Sequence, residues 1–239
     1  HNVAADLLTN PSADPVGREQ RFQAVALFVD ISGFTAMSEA LSKTGRDGSE
    51  EMTTALNSYF APMIDLIQSY GGIVAKFGGD ALTVLFPYNS ASRQNAARRA
   101  AQCALDMQAA MPRYAAIPTS AGTFRLAMKA GLARGSVFCA TVGDSSIRLE
   151  YVVAGRVLDR CAEAQHFAEP GDVIIHNELI SLLGEAETTP TRDDRFSRIA
   201  RLGRPESKTP LPPLAAAAPE SIRQFTAYLH PVIAQRLEM

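Results

Sequence analysis

The chain has no tryptophan, three cysteines and only 7% aromatic residues. Cys103, Cys139 and Cys161 are odd in number and have no CxxC spacing, so they read as reduced, small, buried residues of a cytoplasmic protein. No apolar run reaches the length of a membrane span, and no signal-peptide pattern is present. Neither charge sign is in excess: the formal net charge is −2. That gives no broad basic surface and argues against a nucleic-acid partner. What is present is a chain of 239 residues, 46% of them hydrophobic. This is enough to bury a core as one large domain, or one domain with appendages. His1 is an unusual start, and the chain reads as an excised piece.

The stretch Val25 to Thr35, VALFVDISGFT, organises the rest. An apolar run leads to Asp30 and then into Ser, Gly and Thr ahead of a helical pattern. This predicts a buried strand, about Ala24 to Ile31, turning into a helix from Phe34 to Leu41. One carboxylate then stands at a strand end beside the N–H groups of a helix start. A carboxylate can hold a divalent cation, and such N–H groups can hold phosphate. Strand-end aspartates equally serve as turn or capping residues.

The rest of the pattern is taken in order. Residues 1–22 are polar and mixed and read as a lead-in. Thr44 to Gly48 break the first helix. Ser49 is read as the N-cap of a long amphipathic helix ending at Gly71-Gly72, with Pro62 expected to kink it or mark a joint. Ile73 to Phe77 and Ala81 to Phe86 are expected as strands of a hairpin around Gly78-Gly79-Asp80. Ala91 to about Met111 is a helix. Phe124 to Ala133 and Ser136 to Val142 are read as two strands separated at Gly135, and Arg148 to Ala154 as another. Gly155 to Ala168 is a helix, Val173 to His176 a short strand, Asn177 to Leu183 a short helix and Phe196 to Leu202 a last strand. This order is an α+β layout with a ferredoxin-like βααββαβ core, a mainly antiparallel sheet and helices on one face. Residues 23–202 form that domain. From Gly203 to Pro219 five prolines and an Ala4 run mark a linker. Ser221 to Leu237 is an apolar-faced helix leading to a second domain.

Asp80 falls at the hairpin tip. If the first strand and the hairpin are neighbours, Asp30 and Asp80 approach each other at one sheet edge. With the Ile31 carbonyl they make an open oxygen site of the kind Mg²⁺ prefers, completed by water and phosphate. A pair of such ions can clamp the attacking and leaving oxygens of a phosphoryl displacement. Asp80 alone is also explained as a hairpin turn residue.

Phe28-Val-Asp-Ile-Ser-Gly-Phe-Thr35, Lys76-Phe-Gly-Gly-Asp80 and Gly131-Leu-Ala-Arg-Gly135 resemble class III adenylyl and guanylyl cyclase catalytic domains. The similarity lies nearest the first cyclase domain of soluble, bicarbonate-responsive adenylyl cyclases and bacterial tandem-domain relatives, over roughly Ala24 to Leu183. The resemblance implies that Asp30, Asp80 and the Ile31 carbonyl hold two Mg²⁺ ions, with Mn²⁺ as a substitute. It implies that Ser32, Gly33, Phe34 and Thr35 form the triphosphate loop and that Lys129 reaches the phosphates. Lys76 matches a base-binding or regulatory lysine, and Val152 stands where a second base-reading residue is often found.

The resemblance also marks a departure. The family helix runs G-x-x-x-N-x-x-x-R, its Asn orienting ribose and its Arg stabilising transition-state charge. Here Asp159 and Glu163 occupy those positions, on one helix face, and would repel a triphosphate. The resemblance therefore implies the metal half of an ATP-to-cyclic-AMP cyclase. It implies weakness or inactivity alone, and completion by a second cyclase domain in the same protein or by a homodimer. Ala162 stands where an arginine of the bicarbonate pocket would be, which argues against bicarbonate activation. A non-catalytic nucleotide- or anion-binding regulatory module is the second reading. A third is a diguanylate cyclase, since Lys76 to Leu82 is similar to a G-G-D-E-F hairpin. Ala81 replaces the Glu of that motif. Whether ATP or GTP is the substrate stays open.

Overall fold

The computed structural model describes residues 14–213 and 226–228. Most of the expected lead-in and most of the expected C-terminal helix lie outside these residues. In chain order the elements begin with β1 (Glu19–Ser32), α1 (Phe34–Ser42), α2 (Arg46–Ser69), β2 (Ile73–Gly78), β3 (Ala81–Tyr88) and α3 (Arg93–Ala110). There follow β4 (Ile117–Thr119), β5 (Gly122–Phe124), β6 (Ala127–Asp144), β7 (Arg148–Ala154), α4 (Arg156–His166) and β8 (Val173–His176). The last are α5 (Ile180–Leu183), β9 (Ala186–Pro190) and β10 (Phe196–Leu202).

The main sheet has the order β2-β3-β1-β6-β8-β10-β9, with β7 pairing off this path to β6. The pairs β1–β3, β2–β3, β6–β7, β8–β10 and β9–β10 are antiparallel, and β6–β8 is parallel. The expected α+β fold with a mainly antiparallel sheet is therefore observed. The described residues divide into two compact units, residues 23–135 with 156–211, and residues 14–22 with 136–155, 212–213 and 226–228.

In the first unit, alternation along the strands sets the core. Val25, Leu27, Val29 and Ile31 of β1 and Leu82, Val84 and Phe86 of β3 face one side, all fully buried. Tyr59, Met63 and Ile67 of α2 and Ala97, Ala100 and Ala104 of α3 close over them. The alanines let α3 lie close to the sheet. α4 takes the other face: its Ala164, with Ala168, packs on Ile174 and Phe196 in a separate cluster. The expectation of helices on one face thus holds for α1 to α3 and not for α4. The reason is Gly131, where a Cβ would stand 2.3 Å from the Cys161 carbonyl oxygen. A bare backbone there lets α4 sit directly on β6.

Other boundaries differ from the sequence reading. β1 begins at Glu19, inside the expected lead-in. α2 begins at Arg46, after Gly45, so Ser49 lies within the helix rather than capping it. The close approach of α1 and α2 depends on Gly48, where a Cβ would meet the Leu41 carbonyl oxygen at 2.1 Å. α2 continues through Pro62. The carbonyl that Pro62 leaves without an N–H, that of Ser58, accepts a hydrogen bond from the Tyr114 hydroxyl at 3.1 Å. The two strands expected on either side of Gly135 are one continuous strand, β6.

The residues expected to be a linker are held to α3 as far as Thr209. Arg98 donates to the Glu206 carboxylate and the Arg204 carbonyl, each at 2.7 Å, and to the Leu183 carbonyl. Arg99 donates to the Thr209 carbonyl at 3.3 Å. In the second unit, β6 and β7 form a ribbon, with Cys139 opposite Val153 and Val142 opposite Glu150. Leu149 N–H donates to the Ala227 carbonyl at 2.7 Å, and the Thr141 and Tyr228 hydroxyls lie 3.0 Å apart.

Candidate active site

The site is set by strand register. Val29 of β1 pairs with Leu82 of β3, and on the other side Gly78 of β2 pairs with Ala81. One step beyond Val29 along β1 is Asp30, which falls level with Ala81. Asp80 immediately precedes Ala81, in a tight turn whose first residue, Gly79, has φ of +70°. The order β2-β3-β1 thus brings both carboxylates to the same end of adjacent strands. Both are half-buried. Ile31 has its side chain wholly buried in the core, so its backbone oxygen is the part it can offer a ligand.

The turn after β1 is tightly specified. Gly33 has φ of +109°, and a Cβ on it would stand 2.2 Å from the Arg125 carbonyl oxygen. Only glycine fits both the backbone angle and the space. Gly33 caps α1 without a side-chain hydrogen bond, and the first turn of α1 carries no acidic residue. The helix start therefore presents its positive dipole end without a carboxylate of its own. Phe34 is buried, edge-on to Tyr59 and stacked on Phe60, with ring centroids 5.8 and 6.0 Å away. Its side chain belongs to the core, so what it can give a phosphate is its N–H. Ser32 and Thr35 are exposed.

Ser32 Oγ donates to the Ala127 carbonyl at 3.3 Å. Further back along β1, the Ala26 carbonyl shares the Cys161 thiol with the Gly131 carbonyl, at 3.2 and 2.8 Å. Burial pushes the Cys161 thiol up to about 12, which keeps it a neutral donor. β1 and β6 are neighbours, and these contacts show that they run in opposite directions. Lys129 on β6 then falls near the level of Asp30. It is half-buried, unlike a freely solvated surface lysine.

The structure adds a residue that sequence reasoning missed. Gln165, on the last turn of α4, donates from Nε2 to Asp30 Oδ2 at 3.1 Å. No local pattern marks Gln165, because the contact exists only once α4 is laid across Gly131.

Lys76 lies on β2, opposite Thr83 and just past a register shift, and its side chain is exposed. Val152 is on β7 in the second unit, opposite Ala140. Asp159 and Glu163 are both exposed on α4. Glu163 pairs with Arg195 at 3.3 Å, and Arg195 is also gripped by Asp193 at 2.8 Å. The Arg195 hydrogen bonds hold the Asp193 carboxyl down at about 2. Arg160 on the same helix reaches Glu178 at 3.6 Å, as does Arg134 at 3.7 Å. The carboxylate at position 163 is thus matched by a cation of its own chain.

No group of three or more His, Cys, Asp or Glu that could hold a metal is found among the described residues. Asp30, Asp80 and the Ile31 carbonyl instead offer two carboxylates and a backbone oxygen. This hard-oxygen set fits Mg²⁺ or Mn²⁺, which take a few protein ligands and leave other positions to water and phosphate.

Residues 18–207 match the family described as "Adenylate and Guanylate cyclase catalytic domain". Among curated proteins, adenylate cyclase type 10 of Rattus norvegicus is 32% identical over 156 residues, which is 64% of this chain and 9% of that protein. An adenylate cyclase of Anabaena cylindrica is 32% identical over 144 residues, covering 59% of this chain and 26% of that one. This chain therefore spans a small part of the curated relatives it matches. Among solved structures, the adenylyl cyclase CyaB from P. aeruginosa superposes with a TM-score of 0.63 at 23% identity, over 79% of this chain and 98% of that one. At that identity the superposition speaks for the fold. The guanylyl cyclase Cya2 gives 0.59 at 25% identity, over 82% and 100%.

Proposed function

As this chain belongs to the adenylate and guanylate cyclase catalytic domains, we propose that it is the metal- and triphosphate-binding half of a site converting ATP to cyclic AMP and pyrophosphate. The observation that carries this is the register that sets Asp30 and Asp80 at one end of neighbouring strands. In the reaction the ribose 3′-oxygen bonds to the α-phosphorus and loses its proton. The bond from that phosphorus to the bridging oxygen breaks, and pyrophosphate leaves. Two Mg²⁺ ions, or Mn²⁺ in their place, held by Asp30, Asp80 and the Ile31 carbonyl would supply Lewis-acid polarisation of the reacting oxygens. The N–H groups that start α1, from Phe34 and Thr35 onward, bind the β- and γ-phosphates. Lys129, near the level of Asp30, adds a positive charge toward the same phosphates.

The other half has to come from elsewhere. Asp159 and Glu163 replace the Asn and Arg of the family pattern, and two carboxylates cannot stabilise charge developing on phosphate. A second cyclase domain, in the same full-length protein beyond the segment from residue 203 or in a dimer, supplies ribose orientation and the arginine. ATP is chosen over GTP because the relatives at 32% identity are adenylate cyclases. A cytoplasmic location is part of this reading; no helix among the described residues is long and apolar enough to cross a membrane.

The test is complementation. The chain alone with Mn²⁺-ATP is expected to form cyclic AMP barely above background. Added cyclase domain carrying the Asn and Arg should raise the rate about a hundredfold or more, the usual worth of such a transition-state group. Asp30→Ala in this chain should abolish the gain. High activity of the isolated chain would sink the split-site reading. The pairing of Glu163 with Arg195 favours one other reading, a nucleotide-binding regulatory module without catalysis. That reading predicts nucleotide binding with no gain on complementation.

A further inference from the structure

Gln165 has no role in the reading above, yet its amide is aimed at a candidate metal ligand. It sits on the last turn of α4, and its backbone N–H is held against β6 at Gly131, where a Cβ would stand 2.4 Å from it. The helix is further fixed by Cys161, whose buried thiol donates to the Ala26 and Gly131 carbonyls on β1 and β6. Two strands and a helix therefore locate the base of the Gln165 side chain, which is itself half-buried. From there Nε2 reaches Asp30 Oδ2 at 3.1 Å.

From this geometry we infer that Gln165 is a positioning residue for the metal site. Its amide holds Oδ2 of Asp30 through one lone pair and so fixes how the carboxylate faces the ions. The inference rests on the reading of Asp30 as a metal ligand. A free aspartate at a strand end rotates between orientations and can offer one or both oxygens. A donor fixed on one oxygen removes that freedom before the ions arrive. Outer partners of ligating carboxylates act in this way, and their loss typically weakens metal affinity by about 10- to 100-fold. Gln165 is suited to the task because its amide is neutral: a cationic donor at the same place would repel the ion it prepares for.

The probe is Mn²⁺ alone, titrated into the full 239-residue chain and followed by the loss of the free-ion magnetic-resonance signal, with no nucleotide and no turnover. Gln165→Met keeps the length and apolar stem and removes the amide. It is expected to weaken Mn²⁺ binding about tenfold or more, with the metal-free melting temperature near that of the unaltered chain. Gln165→Asn keeps the amide but draws it back by one methylene, and serves as the second variant should the first not fold. It is expected to weaken binding similarly. Unchanged Mn²⁺ affinity in a folded variant overturns the inference while leaving Asp30 and Asp80 as ligands. Tighter binding also overturns it, and identifies the Gln165 amide as a competitor for the ion's place. No Mn²⁺ binding by the unaltered chain overturns the metal reading itself, and the inference with it.

Discussion

At the scale of single residues, the most constrained position near the site is Gly33. Its φ of +109° and the 2.2 Å separation between a Cβ and the Arg125 carbonyl oxygen leave no relaxed form for any side chain. Gly79, in the β2–β3 turn, also has a positive φ of +70°, but nothing lies within 4 Å of its Cβ position. The two glycines therefore separate strain from collision. Gly79→Ala should cost about 1 kcal/mol, the strain of a left-handed backbone alone. Gly33→Ala should cost about 3 kcal/mol, because the loop must also move off Arg125. Urea unfolding of both variants checks this, and equal losses would count against the collision. The residues legible in the sequence were those with local grammar. Asp30 ends an apolar run and Asp80 sits in a Gly-Gly-Asp turn, so strand and hairpin rules found both. Gln165 has no such grammar, being an ordinary helix residue whose partner lies on β1, far away in sequence. Glu163 was legible as a departure from a pattern. Its partner Arg195 was not, because that loop is placed only by the pairing of β9 with β10.

At the scale of elements, sequence periodicity located most helices and strands, and erred where a packing partner overrides the local signal. Gly135 looks like a break, yet β6 runs through it, with ladder pairs at Ala130 to Leu132 before it and at Phe138 to Asp144 after it. Pro62 is expected to kink α2 or mark a joint, and the helix is continuous through it. Proline removes one N–H and leaves the carbonyl four residues earlier without its helical donor. That carbonyl belongs to Ser58, and the Tyr114 hydroxyl donates to it. Burial raises the Tyr114 hydroxyl above its ordinary value, which favours the protonated, donating form. Its ring also stands edge-on to Tyr59 with centroids 5.1 Å apart. Tyr114→Phe preserves the ring contact and removes only the donor. The expected loss is about 1 kcal/mol, the net worth of one hydrogen bond, with amide exchange quickened around Ser58 and Pro62 rather than over the whole helix. No change in stability or exchange would mean that water serves Ser58 equally well.

At the scale of the whole molecule, the question is how far this chain stands from a complete enzyme. On the proposed reading its metal half depends on the sheet order, and its deficit is confined to exposed positions of one helix. Repair is therefore a surface problem and leaves the core alone. Asp159→Asn with Glu163→Arg restores the family pattern on α4. The new arginine would face Arg195, which now pairs with Glu163 at 3.3 Å. With the Glu163 carboxylate gone, two guanidinium groups would share Asp193 and Asp194, and their mutual repulsion would push the new side chain out of place. Arg195→Ser removes that conflict. Glu163 and Arg195 are about half exposed, so losing their pair should cost at most about 1 kcal/mol. The triple variant carries both halves on one chain, and two copies can complete each other. Its rate of cyclic AMP formation from Mn²⁺-ATP is expected to exceed that of the unaltered chain about tenfold or more. The specific rate should also rise with protein concentration, as required of a site shared between copies. Glu163→Arg without Arg195→Ser should gain less. A folded triple variant that binds Mn²⁺ and ATP but turns over no faster would place the deficit beyond α4 and return the chain to a regulatory role.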